Sequence, residues 1–294
     1  MSEWVHSQPV AATFFRDLVE LGKPRVTSLV TFTAAIGLFL APASPEPLRA
    51  AAFLVGTALL VASANTLNCW MERDVDARMV RTRHRALPAG RLDPSAAFAA
   101  GMLEAALAVA ILALASNALV VLLGGIAHVT YVLAYTPLKR IGPISLVVGA
   151  VPGAIPPLMG WVAATGSLAA PGWELFGILF FWQIPHFIAV ALYLEDDYRR
   201  GGLKVLSVAR GGAVARRHLL AGAAALVAVS LAAVPLGMAG WAYFGAACAL
   251  GAAFLGLAWE GLRQRAGAAW ARRTFLYSLV YLTVLVTCLV LDAR

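Results

Sequence analysis

Long apolar stretches alternate with short polar connections along almost the whole chain. Each stretch has about 20 residues, which lets an α-helix cross the hydrocarbon core of a bilayer. A helix also satisfies its own backbone N–H and C=O groups inside lipid. The pattern therefore predicts an all-α membrane protein, a bundle of nine transmembrane helices. The predicted spans are 22–42, 48–72, 95–115, 117–137, 143–164, 173–195, 216–237, 240–261 and 272–291.

The composition agrees with a chain that lies mainly in a membrane. Of 294 residues, 61% are hydrophobic and 13% are charged, whereas a soluble domain carries about a quarter charged residues. The three cysteines are far apart and have no metal-site or disulfide spacing. Glu3, Arg16 and Asp17 argue against a cleavable signal peptide. We expect a cytoplasmic N-terminal arm at 1–21 and one transmembrane domain at 22–294, with no separate soluble domain.

The basic residues predict how the helices are oriented. The N-terminal arm, the connections after spans two, four, six and eight, and the adjoining first residues of spans one, seven and nine hold 21 of the 23 Lys and Arg residues. Only Arg49 and Arg294 fall on the other side. The positive-inside rule therefore places the N-terminus in the cytoplasm and the C-terminus outside. The net charge of +8 reflects this topology, and its spread over five segments disfavours nucleic-acid binding.

The first polar motif ends the second span, within 65–92. At about 100° per residue, Asn65, Asn68, Glu72 and Asp76 share one helical face, whereas Asp74 points elsewhere. Carboxylate and amide oxygens in a row suit Mg²⁺, which also binds substrate phosphates.

Several arginines follow these acids, among them Arg78 and Arg81. A guanidinium grips phosphate oxygens bidentately, so the pair suits a diphosphate. The alternative is a solvated loop whose charges pair with each other. That alternative is weaker here because the two amides and two acids share a face beside apolar sequence.

The second motif joins Tyr135 and Lys139 at the cytoplasmic end of span four, one helical turn apart. A lysine beside an aromatic hydroxyl suits a diphosphate. Interfacial snorkelling of the two side chains explains the same pattern. His128, on the face of Tyr135, is a weaker candidate for a substrate contact, with a core hydrogen bond as its alternative role.

The third motif repeats the first one at the end of span six. His186, Tyr193 and Asp197 are spaced i, i+7 and i+11 and would share a face of one continuous helix. An ionisable group inside a span is costly and suggests a function, although a hydrogen bond inside the bundle also explains His186. Two acid clusters at the same membrane face suggest two Mg²⁺ ions bridging one diphosphate.

These motifs resemble the UbiA superfamily of intramembrane prenyltransferases, and within it the protoheme IX farnesyltransferase (heme O synthase) family. The resemblance is strong over about 20–210. It rests on Lys23-Pro-Arg-Val-Thr27, on the acidic motif from Asn65 to Thr82, on Tyr135-x₃-Lys139, on Pro156-Pro157-Leu-Met-Gly160-Trp161, and on Pro185-His186-Phe187 with Asp197-Tyr198.

The resemblance implies conversion of heme b, farnesyl diphosphate and water to heme O and diphosphate, with Mg²⁺ as cofactor. It also implies a bacterial cytoplasmic membrane location and a heme A synthase or terminal oxidase assembly partner. Together, motifs and resemblance predict catalytic roles for Asn68, Glu72, Asp76, Tyr135, Lys139 and Asp197; substrate or cofactor contacts for Asn65, Arg78, Arg81, Lys139, His186 and Tyr193; and metal coordination by Asn68, Glu72, Asp76 and Asp197.

The chain departs from the family pattern at Arg85-Ala86-Leu87, where Arg-Pro-Leu is usual, and at Gln183-Ile184-Pro185 before the histidine. Neither change removes an acid or His186. Two other functions remain open. One is prenylation of a quinone precursor or similar aromatic acceptor, and the other is transport with charged gates. Acids crowded at one membrane face disfavour the transporter, and Pro185-His186-Phe187 with Glu72 disfavours a quinone-type acceptor.

Overall fold

A computed structural model describes residues 10–43, 45–263 and 266–293, with side chains from residue 13 onward. Residues 1–9 of the predicted arm and Arg294 lie outside the described residues. The helices are α1 (Val10–Leu21), α2 (Pro24–Leu40), α3 (Pro47–Asp76), α4 (Pro94–Ala115), α5 (Ala118–Val129), a π-helix (Thr130–Tyr135), α6 (Thr136–Ile141), α7 (Ser145–Thr165), α8 (Ala170–Tyr193), α9 (Glu195–Gly201), α10 (Leu206–Arg210), α11 (Gly212–Ala232), α12 (Trp241–Glu260) and α13 (Ala268–Leu291).

The structure confirms the all-α membrane bundle. Within the described ranges, eight helical segments are long and apolar enough to span a bilayer, and α2, with 17 residues, is a shorter apolar helix. Every predicted span overlaps one of these nine. The second span differs in a way that matters, because α3 continues to Asp76 rather than ending at 72 and carries Asn65, Asn68, Glu72 and Asp76 on one helix. The seventh ends at Ala232, five residues earlier than predicted.

The outer surface of the bundle is apolar. Leu114, Leu291, Phe39 and Trp241 are all more than half exposed. Such residues would form an aggregation-prone patch on a soluble protein, whereas in a bilayer they would contact the acyl chains of lipids. The predicted membrane location therefore agrees with the side chains that the fold leaves uncovered.

Helix α7 lies at the centre and packs against α2, α5, the π-helix and α8. Close contact with α2 depends on glycine, since a Cβ on Gly160 would collide with the backbone of Ala34, and one on Gly37 with the backbone of Pro157. Small residues let membrane helices approach in this way. One apolar core joins α2, α3, α4, α5 and α7, and a second joins α8, α11, α12 and α13.

Helix α1 is held against the rest of the chain. Leu21 is buried against the end of α3, and buried Asp17 accepts hydrogen bonds from Arg91 at 3.1 and 3.3 Å. The described part of the N-terminal arm thus fixes one end of the connection between α3 and α4.

Candidate active site

The last turns of α3 present the predicted polar face. Asn65, Asn68, Glu72 and Asp76 are helical and buried, and the last three line one cavity. Asn68 Nδ2 donates to Glu72 Oε2 at 2.9 Å, one turn away. Burial of amides and carboxylates at the end of an apolar helix is costly unless they are paired, so their partners decide what the face can do.

Three cations meet these groups. Lys139 Nζ lies 2.7 Å from Glu72 Oε2, to which it donates a hydrogen bond, and 2.6 Å from Glu72 Oε1. Arg85 Nη1 donates to Asp76 Oδ2 at 2.8 Å. The site therefore holds carboxylates and cations side by side, which is an arrangement for binding a metal–diphosphate complex.

The third cation, Lys23, donates to Asn68 Oδ1 at 3.0 Å. It immediately precedes Pro24 and has φ +48°, the one left-handed residue other than glycine in the described ranges. A proline disfavours helical geometry in the residue before it, so α1 and α2 break here and Lys23 turns its side chain toward α3. Lys23 belongs to the motif Lys23-Pro-Arg-Val-Thr27, but the motif predicts no role for it.

The π-helix explains how Tyr135 and Lys139 reach the site. Pro137 has no N–H to bond to the carbonyl four residues earlier, and the Thr136 N–H bonds to Tyr131 O instead. The wider turn carries Tyr131 and Tyr135 to the cavity wall, and Lys139 Nζ lies 4.8 Å from the centre of the Tyr135 ring. π-Bulges inside helices are frequent at functional sites, and nothing in the hydropathy pattern predicts this one.

Two adjoining cavities form the site. The outer cavity, about 340 Å³, contains the polar face of α3 together with Arg81, Arg85 and Lys139. The inner cavity, about 380 Å³, lies between α2, α3, α5, α7 and α8 and is mostly apolar. Both cavities are bounded by the side chains of Lys23, Val26, Tyr131, Tyr135 and Phe187. One polar chamber thus opens onto one apolar chamber.

His186 lines the inner cavity. Its ring stacks on Trp182 at 4.4 Å between centroids and is flanked by Phe275 at 5.0 Å. Its Nδ1 lies 2.8 Å from Ser278 Oγ. Ser278 in turn donates to Phe275 O at 2.6 Å. Because that hydroxyl proton is committed to a carbonyl, Ser278 accepts from His186 Nδ1–H, and Nε2 carries the lone pair.

Asp197 does not join the acids of α3. Helix α8 ends at Tyr193, and α9 begins a separate turn at Glu195, so the continuous face predicted for His186, Tyr193 and Asp197 is absent. The Asp197 carboxylate instead accepts from the backbone N–H groups of Val80 at 3.0 Å and Arg81 at 3.4 Å. The residue anchors the connection between α3 and α4 rather than lining either cavity.

The environment keeps Asp197 ionised. Burial alone would raise its pKa, but hydrogen bonds from Arg200 and from the Val80 and Arg81 backbone outweigh that effect and hold the pKa below the ordinary value. The charged form is therefore part of the folded loop.

Two further predicted residues lie outside the cavities. Tyr193 is 39% exposed at the end of α8 and lines neither cavity, and Arg78 is exposed on the loop. Arg81 does line the outer cavity. Arg85 lines it too, although the sequence singles out Arg85 only as part of a departure from the family pattern. The break in the helix at Leu194 and the path of the irregular loop after α3 decide which of these predicted residues reach a cavity. No periodic pattern in the sequence predicts either feature.

The α3 face suits one Mg²⁺ ion. No group of three or more Asp, Glu, His or Cys side chains in the described chain is placed to hold a metal. Glu72 Oε1 is buried and has Lys139 Nζ, 2.6 Å away, as its partner, so the face offers carboxylate and amide oxygens that are already paired with cations. Mg²⁺ characteristically takes one or two carboxylates and completes its shell with water and substrate phosphates. Asn68, Glu72 and Asp76 therefore fit an ion that arrives with a diphosphate.

Comparison with known proteins matches residues 30–280 to the UbiA prenyltransferase family. A protein named protoheme IX farnesyltransferase from Anaeromyxobacter sp. (strain Fw109-5) is 51% identical over 288 residues, covering 98% of this chain and 97% of that protein. The protein of the same name from Myxococcus xanthus (strain DK1622) is 45% identical, covering 99% and 98%. These relatives extend the likeness over nearly the full length.

Solved structures share the fold at low sequence identity. A digeranylgeranylglyceryl phosphate synthase superposes with a TM-score of 0.81 at 15% identity, covering 95% of this chain and 98% of that one. A UbiA homolog from Archaeoglobus fulgidus bound to GPP and Mg²⁺ superposes with a TM-score of 0.67 at 15% identity, covering 93% and 99%. At this identity the likeness supports the architecture of the bundle.

Proposed function

Since the chain belongs to the UbiA prenyltransferase family, we propose that it farnesylates heme b, converting heme b, farnesyl diphosphate and water to heme O and diphosphate. The observation that carries the proposal is the pair of adjoining cavities, one polar and cationic, the other apolar with a neutral histidine. Full-length relatives named protoheme IX farnesyltransferase support the choice of acceptor.

The outer cavity binds the diphosphate in this proposal. Lys139, Lys23, Arg81 and Arg85 place positive charge around it, where negative charge develops as the allylic carbon–oxygen bond breaks. Asn68, Glu72 and Asp76 would hold Mg²⁺, and the bound ion would supply Lewis-acid neutralisation of the leaving group. Tyr135 supports Lys139 through its ring face, and Asn65 holds the Tyr131 hydroxyl at 3.4 Å.

Asp197 has a positioning role in the proposal. It binds the backbone at Val80 and Arg81, and Arg85 follows on the same loop. Without this anchor the two arginines would lose their fixed place at the cavity. Arg78 and Tyr193, both outside the cavities, take no part in substrate binding here.

The inner cavity receives the farnesyl chain and the acceptor. Its apolar wall excludes bulk water, which protects the allylic cation from hydrolysis until a vinyl group of heme b attacks. His186 presents an unprotonated Nε2, which is the form that ligates heme iron. We assign His186 to binding heme b.

The protein is proposed to lie in a bacterial cytoplasmic membrane, with the N-terminus and the outer cavity on the cytoplasmic side. The split of basic residues supports this orientation. A reporter fused after Arg294 should be active only outside the cytoplasm. A reporter active only in the cytoplasm would overturn the proposed orientation or the number of membrane crossings. It would not change the proposal that one domain, 22–294, contains the site.

The decisive assay uses purified protein with heme b, farnesyl diphosphate and Mg²⁺, and follows diphosphate release and the mass of extracted hemes. His186→Ala should weaken heme b binding and leave farnesyl diphosphate binding nearly unchanged. Asp76→Ala should show the reverse. Unmodified heme b with the wild-type protein, or equal losses of both ligands in His186→Ala, would contradict the proposal.

A further inference from the structure

A second histidine lines the inner cavity, on a different helix from His186. His128 lies on α5, is half-buried, and contributes to the same apolar wall as His186. Its Nε2 lies 2.9 Å from Ser63 Oγ on α3. Ser63 Oγ also lies 2.7 Å from the backbone oxygen of Gly101 on α4.

These two distances determine which nitrogen of His128 carries a proton. A carbonyl oxygen has no hydrogen, so the 2.7 Å contact requires the Ser63 hydroxyl proton to point at Gly101 O. Ser63 Oγ then has only lone pairs for His128, and Nε2 must donate. The neutral ring therefore carries its proton on Nε2 and its lone pair on Nδ1, which has no hydrogen-bond partner among the described residues.

The proposed reaction needs a proton acceptor at this place. After the vinyl group bonds to the farnesyl carbon, the positive charge resides on the carbon next to the porphyrin ring. Water adds its oxygen lone pair to that carbon, and the resulting oxonium must lose one proton to become the hydroxyl group.

We infer that His128 Nδ1 is the general base that takes the proton from the water added to the prenylated heme. The inference rests on the proposed function. The new C–O bond uses the electron pair of water, and one O–H pair stays on the oxygen as its proton moves to Nδ1. The imidazolium formed returns the proton to solvent after product release.

The other titratable groups of the inner cavity suit this step less well. Lys23 is a cation engaged with Asn68, and Tyr131 and Tyr135 are phenols that donate rather than accept protons at neutral pH. His186 has a lone pair too, but it is buried among aromatic rings and is assigned to heme binding. His186 is more deeply buried than the half-buried His128, and a more deeply buried ring costs more free energy to charge.

His128 also lies at a suitable depth. It precedes Tyr131 by three residues on the same helical segment, which is about 4.5 Å of helical rise at 1.5 Å per residue. Tyr131 lies at the boundary between the two cavities. The reacting allylic carbon must be near that boundary when its diphosphate occupies the outer cavity, so His128 faces the region just beyond it.

Ser63 is a positioning residue in this scheme, because it acts on the reaction only through His128. Ser278 has the matching place beside His186. Ser63→Ala and Ser278→Ala are therefore matched variants. The first removes the partner of the proposed base, and the second removes the partner of the histidine assigned to heme binding.

The test compares diphosphate release with formation of hydroxylated heme by the purified full-length protein. His128→Gln keeps an N–H for Ser63 but removes the base. We expect hydroxylated heme per diphosphate to fall by about 100-fold, the usual lower range for general-base catalysis. The diphosphate released without formation of hydroxylated heme should be matched by free farnesol and by a prenylated heme that is lighter than the hydroxylated product by one water molecule.

Ser63→Ala should change the same product ratio in the same direction and by less, since the base remains but its tautomer is no longer set. Ser278→Ala should weaken heme binding and leave the ratio unchanged. His218→Gln, at an exposed histidine whose Nδ1 contacts its own helix at Val214 O, should change neither quantity.

Three outcomes would overturn the inference. They are a wild-type product ratio in His128→Gln, equal falls in diphosphate release and hydroxylated heme in that variant, and a changed ratio in His186→Gln instead. Failure of the proposed function looks different, because the wild-type protein would then release diphosphate without modifying heme b at all.

Discussion

The ends of α3 and α8 have similar sequences and opposite surroundings. Each is an apolar helix that reaches the same side of the bundle and continues into acids followed by bases. At α3 the helix continues through the acids, so Glu72 and Asp76 face the outer cavity. At α8 the helix stops first, and Asp197 faces the loop. The end of α3 lines the outer cavity, whereas the end of α8 holds the loop that carries Arg81 and Arg85.

The difference shows that an acidic motif acquires its role from where the helix ends. A carboxylate on a continuous helix keeps its register with the residues one turn earlier, so Asp76 stays in line with Glu72 and Asn68. A carboxylate after a break is free of that register and binds the nearest backbone N–H groups. Five predictions test this contrast, from the largest expected effect to the smallest.

The largest effect is expected at Asp76→Asn. Loss of the carboxylate that we propose to hold the metal–diphosphate complex should lower kcat by at least about 100-fold, since single electrostatic contacts of this kind contribute about 3 kcal/mol. Asp74→Asn is the matched control, because Asp74 is on the same helix but exposed. Steady-state kinetics with and without EDTA measure both. Comparable kcat values in the two variants, or full turnover in EDTA, would contradict the role of the α3 face.

The next effect is expected at Lys23→Met. The substitution removes the hydrogen bond that Lys23 donates to Asn68, and it removes a positive charge from the boundary between the two cavities. We expect the KM for farnesyl diphosphate to rise by about tenfold, the cost of a hydrogen bond to a charged group, with a smaller change in kcat. Arg25→Met, at an exposed residue two positions away, controls for net charge. Equal KM changes in both variants would mean that Lys23 acts only through overall charge.

A moderate effect is expected at Asp197→Asn, mainly on the loop between α3 and α4. Loss of its charged hydrogen bonds should destabilise the loop by about 2 kcal/mol, measured as faster tryptic cleavage at the exposed Arg83 and lower hydrogen-exchange protection of the Val80 and Arg81 amides. Asp196→Asn, at an exposed neighbour, is the control. If only catalysis fell while the loop stayed protected, Asp197 would be acting on the substrate.

The stabilisation of the loop by Asp197 should be lost at low pH. Since the Asp197 pKa is lower in the folded protein than its ordinary value of 3.8, its contribution is complete above that value and disappears as pH falls through the lower folded pKa. Amide protection at Val80 and Arg81 should therefore persist down to about pH 4. Protection lost already between about pH 7 and 5 would assign the anchor to another group.

The smallest effect is expected at Tyr193→Phe. The side chain is exposed and lines neither cavity, and surface changes alter free energies by about 0.5 kcal/mol or less. Turnover and heme binding should stay within about twofold of wild type. A tenfold loss would show that the end of α8 contacts substrate after all, and would make the two helix ends more alike than the structure shows.

Much of the candidate site followed from spacing. The interval of three or four residues between Asn65, Asn68, Glu72 and Asp76 predicts a shared face, and the fold buries all four together. Tyr135 and Lys139 are likewise neighbours. Spacing does not predict the role of Lys23. That role depends on the left-handed backbone of Lys23 itself, just before Pro24, which turns its side chain toward Asn68, 45 positions away.

The sequence by itself determined the class of the fold, the order of the apolar helices and the acidic face of α3, because hydropathy and the helical period are local properties of the chain. Only the tertiary structure decided which polar groups meet. Pairings such as Lys139 with Glu72 and Asp197 with the Val80 amide join residues 67 and 117 positions apart. They depend on where each helix stops and which neighbour it packs against, and a helix end is set by competition among backbone, side-chain and solvent hydrogen bonds that no local pattern resolves.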